Sequence, residues 1–325
     1  MTEANPPSRP LDVDSTAVNW KLTGVLVALT AIALFVLDPR SVFAITEVMI
    51  FVLFASALNL VLSYSGMVSF GHGVYFGLGA YGIALTVARF DWPIWAGLMA
   101  GPVLATIAGL VYGFLSVQLT FIYAGMLTLA CAEVTFGIAH QWFSFTGGES
   151  GITGYVVTRL GLSPEMFGLT VLIVVTVSLL LLWRIVHSPL GLVIRAVGEN
   201  PMRAGAMGHN RKTIQLIAFT ISGFFSGVAG TLYGVFHGNV FPDYVGAQFT
   251  LDGLVMVLLG GLYSFSAGIY GAVIFKLADN IVSHYFELWE LVIGIILMSV
   301  IILSPAGIAG YVNRLLEHLR RRTHA

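Results

Sequence analysis

Long apolar blocks, separated by short polar or glycine- and proline-bearing links, fill the chain from residue 21 to residue 309. A bilayer core about 30 Å thick needs about 20 apolar residues per helical crossing, and blocks of that length recur here. They are apolar on all faces, whereas barrel strands alternate apolar and polar residues over about ten positions. The pattern predicts an all-α polytopic membrane protein of about ten transmembrane helices with broken or re-entrant elements. The expected helices are 21–37, 42–62, 72–88, 93–115, 120–143, 166–186, 212–236, 250–263, 266–284 and 288–309. The eighth, LDGLVMVLLGGL, is short for a full crossing and also reads as part of a re-entrant element.

Composition agrees with this pattern. Of 325 residues 57% are hydrophobic and 10% charged, against roughly 25% charged in a soluble domain. The single cysteine, Cys131, excludes an intrachain disulfide. Charge distribution is more informative than the net charge of -1. Eleven of the fifteen lysines and arginines fall at the N-terminal flank, between residues 184 and 212, and in the C-terminal tail. With ten spans these three regions share one side, which the positive-inside rule makes cytoplasmic, both termini included. The expected organisation is a flexible tail at 1–20, a permease domain at 21–312 with a cytoplasmic segment at about 187–211, and a basic tail at 313–325.

Within that cytoplasmic segment, residues 198–213 read GENPMRAGAMGHNRKT. Asn200 is a favoured N-cap, Pro201 suits the first helical position, and Gly208 suits the left-handed position past a helix end. Residues 201–207 are therefore expected to form two helical turns, too short to persist without a partner surface. The alternative is an ordinary polar loop with a chance cap.

The stretch from His187 to Gly234 resembles the LivM family, permease subunits of bacterial ABC importers of the branched-chain amino acid type. The matching residues are Ser188, Pro189, Gly191, Arg195, Ala196, Glu199, Asn200, Ala206, Gly208, Ala218, Phe219 and Ser222. Two departures are Gly198, where family members often carry arginine, and Pro201. The resemblance implies that the short helix couples this chain to a separate ATPase, through Arg195, Glu199, Asn200, Pro201, Arg203, Ala206 and Gly208. It further implies a second, LivH-like permease, two cytoplasmic ATPase subunits that carry ATP and Mg, an extracytoplasmic substrate-binding protein, and residence in the bacterial inner membrane. Surrounding lipid is expected, but no nucleic-acid partner.

A second stretch, NLVLSYSGMVSFGHGVYFGLGAY at 59–81, also resembles these permeases. Its polar, glycine-rich middle predicts a helix break near 63–71, with a new helix starting near His72 whose amides face the pathway. Asn59, Ser69, Gly71 and His72 are the pathway candidates from this stretch. Alternatively, its glycines serve close helix packing and His72 is a structural hydrogen-bonding group. Further matches, MVLLGGLYSFSAGIYGAVIF at 256–275 and FELWELVIGIILMSVIILSPAGIAG at 286–310, extend the resemblance to about residue 312.

Charged groups inside spans must pair or face water. Lys276 and Asp279, three apart on one helix, are expected to neutralise each other. Glu133, in LTLACAEVTFG, either lines the pathway or acts as protonated helix glue. Glu47 is expected near the headgroups.

No G-x-x-x-x-G-K-[ST] phosphate loop occurs, so the chain is expected to bind no cofactor and hydrolyse no ATP by that route. No cysteine–histidine metal constellation is present either. The rival readings are a self-sufficient channel or secondary transporter for a small polar solute such as urea, and an intramembrane hydrolase using Ser65 or Ser69 with His72. For the hydrolase no third orienting group is evident.

Overall fold

The computed structural model describes residues 20–154, 162–262, 264–285, and 291, 294, 295 and 298. Its helices are α1 (Trp20–Val36), α2 (Pro39–Asn59), α3 (Gly73–Ala88), α4 (Ile94–Ser116), α5 (Phe121–Gln141) and the single turn α6 (Phe143–Thr146). They continue with α7 (Pro164–Val186), α8 (Pro189–Glu199), α9 (Pro201–Ala206), α10 (Arg211–His237), α11 (Ala247–Gly260) and α12 (Phe265–Tyr285). Among the described residues, six stretches are long and apolar enough to cross a membrane: Pro39–Tyr64, Ile94–Ser116, Ile122–Gln141, Pro164–Val186, Arg211–His237 and Phe265–Val282. The protein is thus an all-α polytopic membrane protein.

Most expected helices sit within three residues of the observed ones at each end. Pro189–Glu199, within the expected cytoplasmic segment, is also helical, as is the single turn Phe143–Thr146. Glycines and an arginine dilute the apolar signal of Pro189–Glu199, yet Ile194 and Val197 are buried on one face. α11 has 14 residues, about 21 Å at 1.5 Å per residue, and is indeed short for a full crossing. The expected tails at 1–20, apart from Trp20, which opens α1, and at 313–325, and most of the helix at 288–309, lie outside the described residues.

The core is a tight bundle of α3, α4 and α10, with α2 packed alongside. Small residues permit it: a Cβ at Gly79 would lie 2.2 Å from the Gly227 carbonyl oxygen, and one at Gly230 would lie 1.8 Å from that of Phe76. Thr231 closes the α3–α10 seam, its hydroxyl 3.0 Å from the Gly79 oxygen. Without a hydrophobic drive between helices in lipid, such close packing and interhelical hydrogen bonds supply the attraction. Beside the seam, Phe51, Phe54 and Phe76 form an aromatic cluster, with ring centroids 5.0 Å apart for Phe54 and Phe76.

α10 has 27 residues and so spans about 40 Å, from α9 at one end to His237 at the other. At the His237 end a two-residue ladder, β1 (Ile152–Thr153) with β2 (Asn239–Val240), joins two links, Ile152 opposite Val240.

Candidate coupling and translocation site

α9 is built as its residues predict. The Asn200 side chain accepts a hydrogen bond from the Arg203 amide at 3.0 Å, and Pro201 occupies the first turn, where its missing N–H costs nothing. At the other end Gly208 adopts φ +88°. The amides of Gly208 and His209 then donate to the carbonyls of Gly205 and Ala204, both at 3.0 Å, completing a Schellman stop. Ala204 faces inward at 1% exposure, while Met202 is 86% exposed. Arg203, Ala206, Met207 and Gly208 are exposed with it. An apolar methionine pair on a preformed solvent-facing helix is a surface suited to a partner.

α8 carries α9 to the bundle. It is capped by Ser188, and Gly191 is required where a Cβ would lie 2.1 Å from the Val186 oxygen. Arg195 stacks over the Tyr64 ring, 5.1 Å from its centroid. Gly198 meets the chain at Tyr64 to Gly66, and a Cβ there would lie 2.3 Å from the Tyr64 oxygen. The departure at Gly198 is therefore a point of backbone contact. Glu199, one residue on, is exposed.

The segment touched by Gly198 is the helix break. α2 continues as a π-helical turn, Leu60–Tyr64, and the chain then runs without helix until α3 begins at Gly73, with Gly66 at φ +66°. The expected break is present, and two of its amides are taken up by threonine hydroxyls of neighbouring helices. Gly73 donates to the Thr250 hydroxyl at 2.7 Å, and Phe70 donates to that of Thr128 at 3.0 Å.

The four candidates from this stretch are all buried in a polar brace. His72 is 0% exposed, with Nδ1 3.2 Å from Ser69 Oγ and Nε2 2.7 Å from Ser222 Oγ. Ser222 in turn donates to the Ala57 oxygen of α2. Asn59 donates to the Ser264 oxygen at 2.8 Å and accepts from Ser63. Gly71 lies against α5, where a Cβ would be 2.1 Å from the Thr128 oxygen. In the single subunit they tie α2, α3, α5 and α10 together around the break.

Glu133 is not with them. It is exposed on the outward face of α5, among Met126, Val134 and Ile138, each more than half exposed. Ser69 is within hydrogen-bond reach of His72 but is fully buried with it; Ser65 donates to the Val61 oxygen at 2.8 Å, and the described carboxylates are not among the hydrogen-bond partners of His72. Residue spacing alone gave no signal for Ser222 as the partner of His72, because they are 150 residues apart.

The multi-pass helical bundle with its interhelical braces and a capped, exposed short helix is similar to membrane transport permeases. The chain belongs to the branched-chain amino acid transport system permease component family, which matches residues 41–301. It is 28% identical over 324 residues to the high-affinity branched-chain amino acid transport system permease protein LivM of Escherichia coli (strain K12), covering 91% of this chain and 76% of the relative. Similarity to the LivH permease protein of the same organism is 29% over 126 residues, covering 38% of this chain and 41% of LivH. A probable LivM of Methanocaldococcus jannaschii is 28% identical over 173 residues, half of each chain. No solved structure matches the chain significantly.

Proposed function

We propose that this chain is one of two transmembrane permease subunits of an ATP-driven importer in a bacterial cytoplasmic membrane. The observation that carries this is α9: a six-residue helix, stopped at both ends by its own residues and presenting Met202 and Met207 to solvent. Helices this short need an external surface. Here that surface is a cytoplasmic ATPase subunit, one of two, with ATP and Mg held there and not on this chain. A LivH-like chain is the second permease, and an extracytoplasmic binding protein delivers branched-chain amino acids. The family and both kinds of relative support this reading.

In this arrangement the chain crosses ten times, with both termini and residues 187–211 cytoplasmic. Its permease domain runs from 21 to 312 between the two terminal tails. Glu133 is exposed on a spanning helix of the single subunit, where lipid would be costly; α5 therefore faces the second permease and the passage between them. ATP-driven closure displaces α9, which carries Arg203 and is preceded by Glu199. The displacement reaches the break through Gly198 against Tyr64 and Gly66, and through α10 at Ser222 and His72.

Mild-detergent purification from native membranes, followed by mass spectrometry, tests the proposal. An ATPase and a second permease should co-purify and should both be lost on deleting 201–207. A stable assembly of this chain alone, transporting without ATP, would instead establish a channel or secondary transporter.

A further inference from the structure

At the end of the bundle opposite α9, α2 and α12 enclose a groove of about 550 Å³ lined by Arg40, Phe43, Glu47, Val48, Lys276 and Asp279, among others. Lys276 Nζ lies 3.1 Å from Glu47 and 3.3 Å from Asp279, with side-chain exposures of 13%, 22% and 21% respectively. It also sits 4.0 Å from the centroid of the Phe51 ring. Lys276 is thus fully engaged, holding two carboxylates together with one negative charge in excess. Arg40, exposed at the mouth of the same groove, forms no ion pair among the described residues. Phe43, Ala44 and Val48 lie on α2 between and beside the two centres, and Phe43 is backed by Phe236 at 4.2 Å and His237 at 5.8 Å. The buried Nε2 of that His237 has no hydrogen-bond partner.

A surplus carboxylate and a separate guanidinium, spaced along an apolar stripe, are without a further ion-pair partner among the described residues. Intramembrane ionisable groups left this way mark ligand pathways. A small zwitterion with an apolar side chain supplies the missing charge at each end. Its ammonium joins the Glu47–Asp279 pair, its carboxylate takes the Arg40 fork, and its side chain covers Phe43 and Val48. Arg40 and Glu47 are two turns apart, about 10.5 Å of rise, most of which an extended arginine can close.

We infer that this groove is an outward-facing binding site, in the permease itself, for the free amino acid released by the binding protein. This inference rests on the importer reading and deepens it. The same chemistry, an ammonium beside an anion, is offered by a phosphatidylethanolamine headgroup, so the test separates the two.

The full transporter is reconstituted in nanodiscs of phosphatidylcholine and phosphatidylglycerol without its binding protein, and tritiated leucine binding is measured. Leucine should bind; isocaproate, which lacks the amine, and isoamylamine, which lacks the carboxylate, should fail to compete. Arg40→Gln, a change at an exposed side chain, and Asp279→Asn should each weaken binding roughly tenfold, the scale of one charge-assisted hydrogen bond. Co-purification of the partner subunits verifies assembly of both variants.

Uptake by the wild type, measured with the binding protein present, separates the two levels of the argument. Uptake without any leucine binding, or binding unaffected by both variants, overturns the site alone. Displacement of leucine by phosphatidylethanolamine in the nanodisc assigns the groove to lipid and also overturns it. No leucine uptake at all removes the importer reading for this substrate, and the site with it.

Discussion

His72 Nε2 lies 2.7 Å from Ser222 Oγ, joining the residue that opens α3 to the middle of α10. Both are fully buried, and Ser222 passes the connection on to the backbone of α2. Ser222→Ala removes two hydrogen bonds and leaves the imidazole with an orphan nitrogen. The expected cost is about 1–3 kcal/mol, read as a lower melting temperature of the purified assembly. An unchanged melting temperature would mean the brace carries no stability.

The left-handed Gly208 makes a graded prediction. A Cβ there would meet nothing within 4 Å, so substitutions act through backbone conformation alone. Asparagine tolerates this conformation and valine resists it. Gly208→Asn should retain substrate-stimulated ATP hydrolysis in the complex. Gly208→Val should insert normally but lose most of that stimulation, with a strain of about 1–3 kcal/mol at the helix stop. Equal stimulation in both variants would argue against coupling through α9.

Gly198 should be sensitive for a different reason. Here the limit is space, since a Cβ would collide with the backbone of Tyr64. Gly198→Ala should force α8 away from the break and destabilise by about 1–3 kcal/mol, the usual range for overpacking. Faster trypsin cleavage at Arg195 or Arg203 would report the displacement.

Glu133 gives a prediction about water. In a Cys131→Ser background, Glu133→Cys should react with a membrane-impermeant thiol reagent in the assembled transporter, whereas Ile122→Cys, farther along the same exposed face, gives the comparison rate. If α5 faced only lipid, neither would label.

What could be read from the sequence follows a physical divide. The α9 caps were legible because Asn200, Pro201 and Gly208 act on backbone within three residues of themselves. The break near 63–71 was legible because its polar, glycine-rich run cannot be a lipid-facing helix. The brace was not legible, since His72 and Ser222 meet only through the packing of α3 on α10. The same holds for Glu47. Its expected place near the headgroups gave no hint of Lys276, 229 residues away, although the Lys276–Asp279 pair within one helix was foreseen correctly. α8 escaped notice because Gly191 and Gly198, which fit it against its neighbours, lower its helical signal.

The backbone-to-backbone fit at Gly79, Gly227 and Gly230 sets a limit on how this subunit can move. Helices interlocked at that distance have no slack through which to slide or part, so α3, α4 and α10 turn together like a single casting. In the proposed importer a solute is therefore not threaded through the middle of this chain; its route runs along the outside of that casting, with the second permease as the opposite wall.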